Sequence, residues 1–329
     1  MYGRLIGGEY RVGKPLGKGG FGTTYRGLHV ATRTPVAIKV EHAHLKQSAL
    51  DHERLLYEQL HPCPGLPAIE WHGTVDGRRV LVMELLGCSL EKMRQQLPEQ
   101  RVPLVTVLEM GQQLLRLLQR LHEKRVVHRD IKPDNVVLGR AHHRDRLFVV
   151  DLGLARHAAA ANPRARKKLA GSARYCSVHT HDGLAQTYRD DLEGLAYTLL
   201  HLLHGKLPWQ GLKDDDGKGE EEALSSRAAK AAKIAKYKVI GEAKRALQPA
   251  HVQPAALRQL LLTARTLQHG EMPPYDKLLV LFHAPPPDGL VCHPLPPWTP
   301  SLPPKRASGS APFAKPKPPP SAPPSCAST

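Results

Sequence analysis

The sequence predicts an α+β fold of two lobes, in which a strand-rich amino-terminal lobe precedes a mainly helical carboxy-terminal lobe. Residues 10–40 contain three short strand-like stretches, with glycines between the first two, and these favour an antiparallel sheet. From about residue 100 the apolar residues recur at helical spacing instead, as they do over residues 104–122. The 329 residues are enough to bury a core in both lobes.

The predicted elements follow one another along the chain. Ser48 and Asp51 form the S-x-x-D pattern of a helix start, which predicts a helix over residues 48–60. A turn and a buried strand are predicted over residues 76–87, and residues 104–122 should form a long helix with a single apolar stripe. A second apolar helix after residue 190 is expected to end at Gly205, because glycine favours helix ends.

Two segments differ in composition from the rest. Residues 213–236 look like an insertion, in which acidic runs precede an Ala/Lys-rich stretch that we predict to be helical. The end of the chain is rich in proline and basic residues and has no acidic residue after Asp288, so we predict that it is disordered. The expected organisation is a domain at 8–283, with lobes at about 8–86 and 87–283, and a tail at 284–329.

The net charge of +17 favours anionic partners such as phosphates, acidic proteins, nucleic acids or acidic membrane surfaces. Nucleic acid is not expected as the primary ligand, because only 5% of the residues are aromatic and no nucleic-acid-binding motif is present. No stretch has the length and apolar character of a membrane span. The charge by itself does not choose among the anionic partners, and we expect a monomer.

The cysteines and the first residues of the sequence indicate where in the cell the protein is expected. Five cysteines are scattered without zinc-ligand spacing, which indicates reduced thiols inside the cell. The first residues lack the apolar core of a signal peptide. We expect a cytoplasmic protein, and the stretch PRARKK at residues 163–168 resembles a nuclear import signal, so a nuclear fraction is a second expectation.

The motif GKGGFG carries glycines at positions 17, 19 and 22. This pattern is weak alone, because it also fits a dinucleotide-binding turn. A dinucleotide turn joins a strand to a helix, whereas here strand-like sequence continues on both sides. The sequence therefore predicts a hairpin flap whose backbone N–H groups cover phosphates.

Lys39 lies in the apolar strand VAIK, about seventeen residues after the flap. A solvent-facing strand lysine is the alternative interpretation of this residue alone. Glu53, on the following predicted helix, is its expected ion-pair partner. Such a pair would hold the ammonium group against two phosphates of a nucleotide.

The stretch VVHRDIKPDN places several charged groups in a short turn between apolar strands, where accidental burial of charge would be costly. Asp130 can orient a hydroxyl nucleophile and accept its proton, and Lys132 can neutralise the moving phosphoryl group. Asn135 offers an amide oxygen to a metal ion. Asp151 in VVDLG stands at a strand end, where it can bind Mg²⁺ that bridges phosphates.

The order of these parts is flap, lysine, glutamate, catalytic loop and metal-binding aspartate, and phosphoryl transfer needs each of them. The sequence therefore predicts an active protein kinase that uses ATP and Mg²⁺. The alternative is a pseudokinase scaffold that binds acidic or phosphorylated partners. Loss of a catalytic group would favour that alternative, and none is lost.

Residues 8–283 resemble the casein kinase 1 family. The resemblance rests on VAIKVE, VMELLGCSLE, HRDIKPDN, LAGSARYCSVHTHDG, RDDLEGLAYTLLHLLHGKLPWQGLK and KYKVIGEAK. The most specific piece is GSARYCSVHTH, which replaces the A-P-E-like triplet of most eukaryotic kinases. Where the family carries Ser-Ile-Asn, this chain has Ser177, Val178 and His179.

The resemblance implies the bilobal protein-kinase fold and Ser/Thr substrates that bear acidic or phosphorylated residues. It implies that Glu84 and Leu86 form the adenine-contacting hinge, with Met83 as gatekeeper, and that Asp191 braces the catalytic loop. Leu152 and Thr24 depart from the usual Phe and Val or Ile, and Thr24 is expected to weaken ATP binding. The ATP-binding residues are then Leu16, Gly17, Gly19, Gly22, Thr24, Ala37, Lys39, Met83, Glu84 and Leu86.

The segment between Gly153 and Gly171 contains five Lys/Arg residues and no Ser, Thr or Tyr. In many kinases a phosphate in this segment pairs with the arginine of H-R-D and orders the segment. Here we expect activity without phosphorylation, with the hydroxyl of Ser172 bracing Asp130 and Lys132. A solvated basic loop is the alternative to an anion site that receives the substrate itself. The predicted substrate anion site comprises Arg129, Lys167, Lys168, Arg174 and Lys236.

Overall fold

The computed structural model of the protein describes residues 1–42, 48–158, 170–211 and 226–283. Several predicted features therefore lie outside the described residues. These are Lys167, Lys168, the stretch PRARKK, the acidic runs at 214–216 and 220–222, and the proline-rich tail.

The amino-terminal lobe is built on a six-stranded antiparallel sheet with the strand order β1-β2-β3-β4-β6-β5. Apolar side chains such as Val12, Ile38 and Val82 are buried on one face of this sheet and form a small core of their own. Burial of these β-branched residues explains why the strands form where the sequence predicts them. The strands are β1 (Leu5–Ile6), β2 (Tyr10–Lys18), β3 (Gly22–His29), β4 (Pro35–Glu41), β5 (Ile69–Val75) and β6 (Arg78–Glu84).

A single helix, α1 (Ala49–Leu60), separates β4 from β5 in the chain. Its N-cap is Ser48, whose hydroxyl accepts the N–H of Asp51 at 3.0 Å, so the predicted helix start is confirmed. The buried side of α1 carries Glu53 among apolar residues and packs against the sheet and the turn at Leu152–Leu154. This placement brings Glu53 to the boundary between the two lobes.

The carboxy-terminal lobe is mainly helical. The predicted apolar stripe of α3 is buried from Val107 to Leu121, and α5 is buried along its whole length. Helix α5 ends at Gly205, whose φ of 73° suits glycine and matches the predicted end. The helices are α2 (Leu90–Gln95), α3 (Leu104–Glu123), α4 (Val178–His181), α5 (Tyr188–His204), α6 (Ser226–Ala246), α7 (Ala255–Thr266) and α8 (Tyr275–His283).

Four short strands lie near the junction of the lobes: β7 (Val126–Val127), β8 (Val136–Leu138), β9 (Leu147–Val149) and β10 (Arg156–His157). They pair as two small antiparallel ribbons, β8 with β9 and β10 with β7. Helix α6 begins in the predicted Ala/Lys-rich stretch and continues to Ala246, so residue 236 falls inside a helix. Within the described residues, no helix combines the length and apolar character needed to cross a membrane.

His204, the last residue of α5, gives the protein a pH-dependent stability. Burial, with a smaller effect of Arg101, lowers its pKa to about 4 from an ordinary value of 6.5. The unfolded chain therefore binds the proton more readily between these values, and stability falls as the pH falls. Between about pH 7 and pH 5, His204 should lower the free energy of unfolding of the wild type by about 1–2 kcal/mol. The variant His204→Gln should not show this part of the decrease.

Urea unfolding of both proteins at the two pH values measures this difference. The control is His251→Gln, because His251 is an exposed histidine of the same lobe. An equal loss of stability in wild type and His204→Gln on acidification would contradict the prediction.

Candidate active site

The glycine-rich hairpin is formed by β2 and β3, and β3 pairs with β4, the strand that carries Lys39. The register places Gly17 opposite Thr24, and Thr24 opposite Lys39, on three neighbouring strands. The N–H of Gly19 donates to the carbonyl of Gly22 at 2.8 Å and closes the turn. A Cβ atom at Gly22 would stand 2.4 Å from the carbonyl oxygen of Val40, so glycine is required there for strand pairing.

Lys39 binds one carboxylate from each lobe. Its Nζ donates to Glu53 Oε2 at 2.6 Å and to Asp151 Oδ1 at 2.8 Å. Burial alone would lower the pKa of Lys39, but Glu53 and Asp151 outweigh it and raise that pKa above the ordinary value. Burial likewise opposes ionisation of Asp151, yet Lys39 outweighs it and lowers the pKa of Asp151. Burial raises the pKa of Glu53 against the opposing effect of Lys39, so the ammonium group lies between an acid with a raised pKa and an acid with a lowered one.

The catalytic loop between β7 and β8 surrounds the Asp130 carboxylate with donors. Lys132 Nζ donates to Oδ2 at 2.6 Å, and Ser172 donates to Oδ1 through its N–H and its hydroxyl, both at 2.9 Å. Lys132 Nζ also donates to Ser172 Oγ at 3.0 Å. The predicted contact of Ser172 with Asp130 and Lys132 is confirmed. These donors fix the direction in which the carboxylate faces the cleft.

Asp191, at the start of α5, binds the backbone of the catalytic loop. Its Oδ2 accepts the N–H of His128 at 2.7 Å, and its Oδ1 accepts the N–H of Arg129 at 2.8 Å. His122 lies 3.0 Å from the same carboxylate, and it lowers the pKa of Asp191 against the opposing effect of burial. The hydroxyl of Tyr275 lies 2.5 Å from the other ring nitrogen of His122. The bracing contact implied for Asp191 is thus present.

Asn135 and Asp151 lie next to each other because the N–H of Val150 donates to the carbonyl of Asn135 at 2.9 Å. The side-chain amide of Asn135 donates to the Asp130 carbonyl at 2.9 Å and to its Oδ2 at 3.1 Å. Its amide oxygen is then the group left to bind a cation. One carboxylate and one amide oxygen suit Mg²⁺, which binds few protein groups and completes its shell with phosphates and water.

In the part of the chain that the structure describes, no cluster of three or more His, Cys, Asp or Glu side chains could hold a metal by itself. The oxygen atoms that Asn135 and Asp151 offer fit a divalent metal in their chemistry.

The predicted adenine-binding residues line the strands that meet between the lobes. Ala37 pairs with Met83 across β4 and β6, and both are nearly buried. Glu84 is half-buried at the end of β6, and Leu86 is buried just after it. Leu16 on β2 is 42% exposed.

The predicted anion-site residues are partly described. Arg129 Nε donates to Gln186 Oε1 at 2.8 Å, and burial together with the charge of Arg156 lowers the pKa of Arg129. The guanidinium carbon of Arg174 lies 6.0 Å from the ring centre of Tyr175. Lys236 is half-buried on α6. The pairing of β10 with β7 places Arg156 opposite Val127, two residues before Arg129, and Arg156 was not among the predicted site residues.

Some residues that support the site could not be assigned to it from the sequence. His122 lies near the end of α3, and only the fold places it against Asp191. Arg156 stands opposite Val127 because β10 pairs with β7. Lys244 sits in the motif KYKVIGEAK that carried the resemblance, but its complete burial was not predicted.

This arrangement suits transfer of a phosphoryl group from a nucleotide to a hydroxyl. The reaction requires mainly positioning and neutralisation of charge, which a lysine, two metal-binding oxygens and a braced carboxylate can supply. Residues 10–261 match the family model of the protein kinase domain. Because this match covers more than half of the sequence, the chain belongs to the protein kinase domain family.

Membership of this family confirms the predicted bilobal α+β kinase fold, with its antiparallel amino-terminal sheet and helical carboxy-terminal lobe. It makes the protein a phosphotransferase that acts on proteins, and the family generally uses ATP with a divalent metal.

Proposed function

We propose that the protein is a Ser/Thr kinase of the casein kinase 1 family, with Asp130, Lys132, Lys39 and Glu53 as its catalytic residues. The contact of Ser172 with both Asp130 and Lys132 is the observation that carries this proposal. A carboxylate held in this way can receive the proton of an acceptor hydroxyl, while Lys132 neutralises charge on the moving group. Lys39 would hold nucleotide phosphates, and Asn135 and Asp151 would hold Mg²⁺.

We further propose that the enzyme is active as synthesised. The sequence between Gly153 and Gly171 offers no hydroxyl for phosphorylation. Support comes from Asp191 and Ser172, which bind the backbone and the Asp130 carboxylate of the catalytic loop through hydrogen bonds. In this proposal, these hydrogen bonds supply the ordering that a phosphate provides in other kinases.

The preferred substrates in this proposal carry an acidic or phosphorylated residue near the acceptor. Support comes from Arg129, which follows β7 by two residues, and from Arg156, which stands opposite Val127 where β10 pairs with β7. Positive charge gathered in one region favours the binding of an anion. Lys168 and Arg174 add positive charge on either side of Ser172 in the sequence.

A peptide panel tests this proposal with bacterially produced, phosphatase-treated enzyme. We expect phosphorylation of serine and threonine, with kcat/KM at least about 10-fold higher for a peptide phosphorylated three residues upstream than for a basic peptide. Inactivity after phosphatase treatment would contradict activity as synthesised. ATP binding without transfer to any peptide would favour a pseudokinase scaffold instead.

The double variant Arg174→Ala, Lys168→Ala tests the anion site itself. It should lose most of the preference for the phosphopeptide, while the KM for ATP stays within about twofold. The matched control is Arg116→Ala, Lys277→Ala, which removes the same charge from exposed positions on α3 and α8. An unchanged preference in the first variant would show that the anion binds elsewhere.

A further inference from the structure

Lys244 on α6 is fully buried, with an exposed fraction of 0%. Its Nζ donates to the carbonyl of Ala173 at 2.8 Å and to the carbonyl of Cys176 at 2.5 Å. The ring centres of Tyr197 and Trp209 lie 4.9 and 5.3 Å from the same nitrogen. Burial of an ammonium group costs free energy unless the group is hydrogen-bonded. These contacts therefore hold Lys244 against the segment that contains Ala173 and Cys176.

Two further donors bind the same stretch of backbone. The hydroxyl of Tyr237, also on α6, donates to the carbonyl of Gly171 at 3.3 Å. The indole N–H of Trp209 donates to the carbonyl of Arg174 at 2.9 Å. Carbonyl groups along the segment 171–176 are therefore held by side chains from α6 and from the loop that follows α5.

The segment 171–176 contacts the catalytic loop as well. Ser172 donates to Asp130, and a Cβ atom at Gly171 would stand 2.5 Å from the carbonyl oxygen of Arg129. Gly171 has a φ of 91°, so this close approach requires glycine. The segment thus lies between the catalytic loop and α6 and is bound by both.

His181 completes the surroundings of the ammonium group. Its Nε2 lies 3.2 Å from Lys244 Nζ and 3.3 Å from the sulfur of Cys176. Burial, followed by the charge of Lys244, lowers the pKa of His181 to about 3, so the ring is neutral and can accept a hydrogen bond. A neutral acceptor beside Lys244 stabilises the buried charge where it meets the segment.

We propose that Lys244 is a positioning residue for the protein substrate: it binds the segment 171–176 from behind and fixes the surface that receives the acceptor residue. This inference rests on the proposed function and extends it. Lys244 lies on the far side of the segment from Asp130, and it acts through Ala173 and Cys176. A cation inside the fold thereby orders this segment by binding its carbonyl oxygens, which removes the need for an added phosphate.

The variant Lys244→Met keeps the length of the side chain and removes its charge. We expect the KM for a peptide substrate to rise about 10- to 100-fold, because a small displacement of a positioning segment has effects of this size. The KM for ATP should stay within about twofold. The matched control is Lys238→Met, which removes an exposed lysine from the same helix.

Hydrogen exchange gives a readout that does not depend on peptide phosphorylation. Amides of the segment 171–176 should exchange about 10-fold faster in Lys244→Met, while those of β4 remain protected. If wild type phosphorylated no peptide, the proposed function would fail, and this measurement would still decide whether Lys244 orders the segment.

Three results would overturn the inference. The first is a folded Lys244→Met variant whose peptide KM lies within about twofold of wild type. The second is a variant that loses ATP binding and peptide binding equally, because Lys244 would then serve only the general stability of the fold. If Lys244→Met does not fold, Tyr237→Phe decides, because it removes only the hydroxyl that donates to Gly171. A normal peptide KM and normal exchange in Tyr237→Phe would then be the third contradicting result.

Discussion

Replacement of Asp130 by asparagine is expected to lower kcat/KM for a peptide substrate by about two to four orders of magnitude. The carboxylate receives hydrogen bonds from Lys132 and Ser172, and these leave it oriented toward the cleft. Asparagine has the same shape, but its NH₂ group must face one of these donors. The variant therefore loses both the proton acceptor and the arrangement that positions it.

Steady-state phosphorylation kinetics measure this loss, and thermal unfolding checks that the fold is retained. Asp145→Asn is the matched control, because it makes the same chemical change at an exposed position after β8. A value of kcat/KM for Asp130→Asn within about tenfold of wild type would contradict the role assigned to Asp130.

The variant Lys39→Arg keeps the positive charge, yet it is expected to lower kcat/KM by about two to four orders of magnitude. Lys39 Nζ fits between Glu53 at 2.6 Å and Asp151 at 2.8 Å. A guanidinium group is larger and planar, so it cannot bind both carboxylates from the same point. Nucleotide phosphates bound by this group would be displaced from the metal-binding side chains.

Lys14→Arg provides the comparison, because Lys14 is an exposed lysine on β2. Phosphorylation kinetics with ATP titrated at saturating peptide separate a change in ATP binding from a change in turnover. Near-normal kcat/KM in Lys39→Arg would contradict the assignment of Lys39 to the phosphates and direct attention to another cation.

Much of the candidate site was predictable because its parts are close in sequence. HRDIKPDN places an acid, a lysine and an amide within eight residues, and the turn between β7 and β8 keeps them together. The Lys39–Glu53 pair was predictable from a strand followed by a helix, because the buried side of that helix includes Glu53. Short separations leave few alternative arrangements for such groups.

The contacts that escaped prediction join residues far apart in the chain or involve backbone atoms. Arg156 stands opposite Val127 through the pairing of β10 with β7, and strands of two residues have no periodicity to read. Lys244 binds carbonyl oxygens, which every residue possesses, so no side-chain pattern marks its partners. His122 lies near the end of α3, and nothing within that helix marks the distant Asp191 as its partner.

The sequence by itself determined the two-lobed fold, the order of the elements and the set of chemical groups, because periodicity and turn residues act locally. Only the tertiary structure decided which of those groups touch: Lys39 with Asp151, Ser172 with Asp130, and Lys244 with the backbone of its segment. These contacts depend on how helices and sheet pack over long separations. That packing is set by the summed burial of many apolar side chains, and no single motif encodes it.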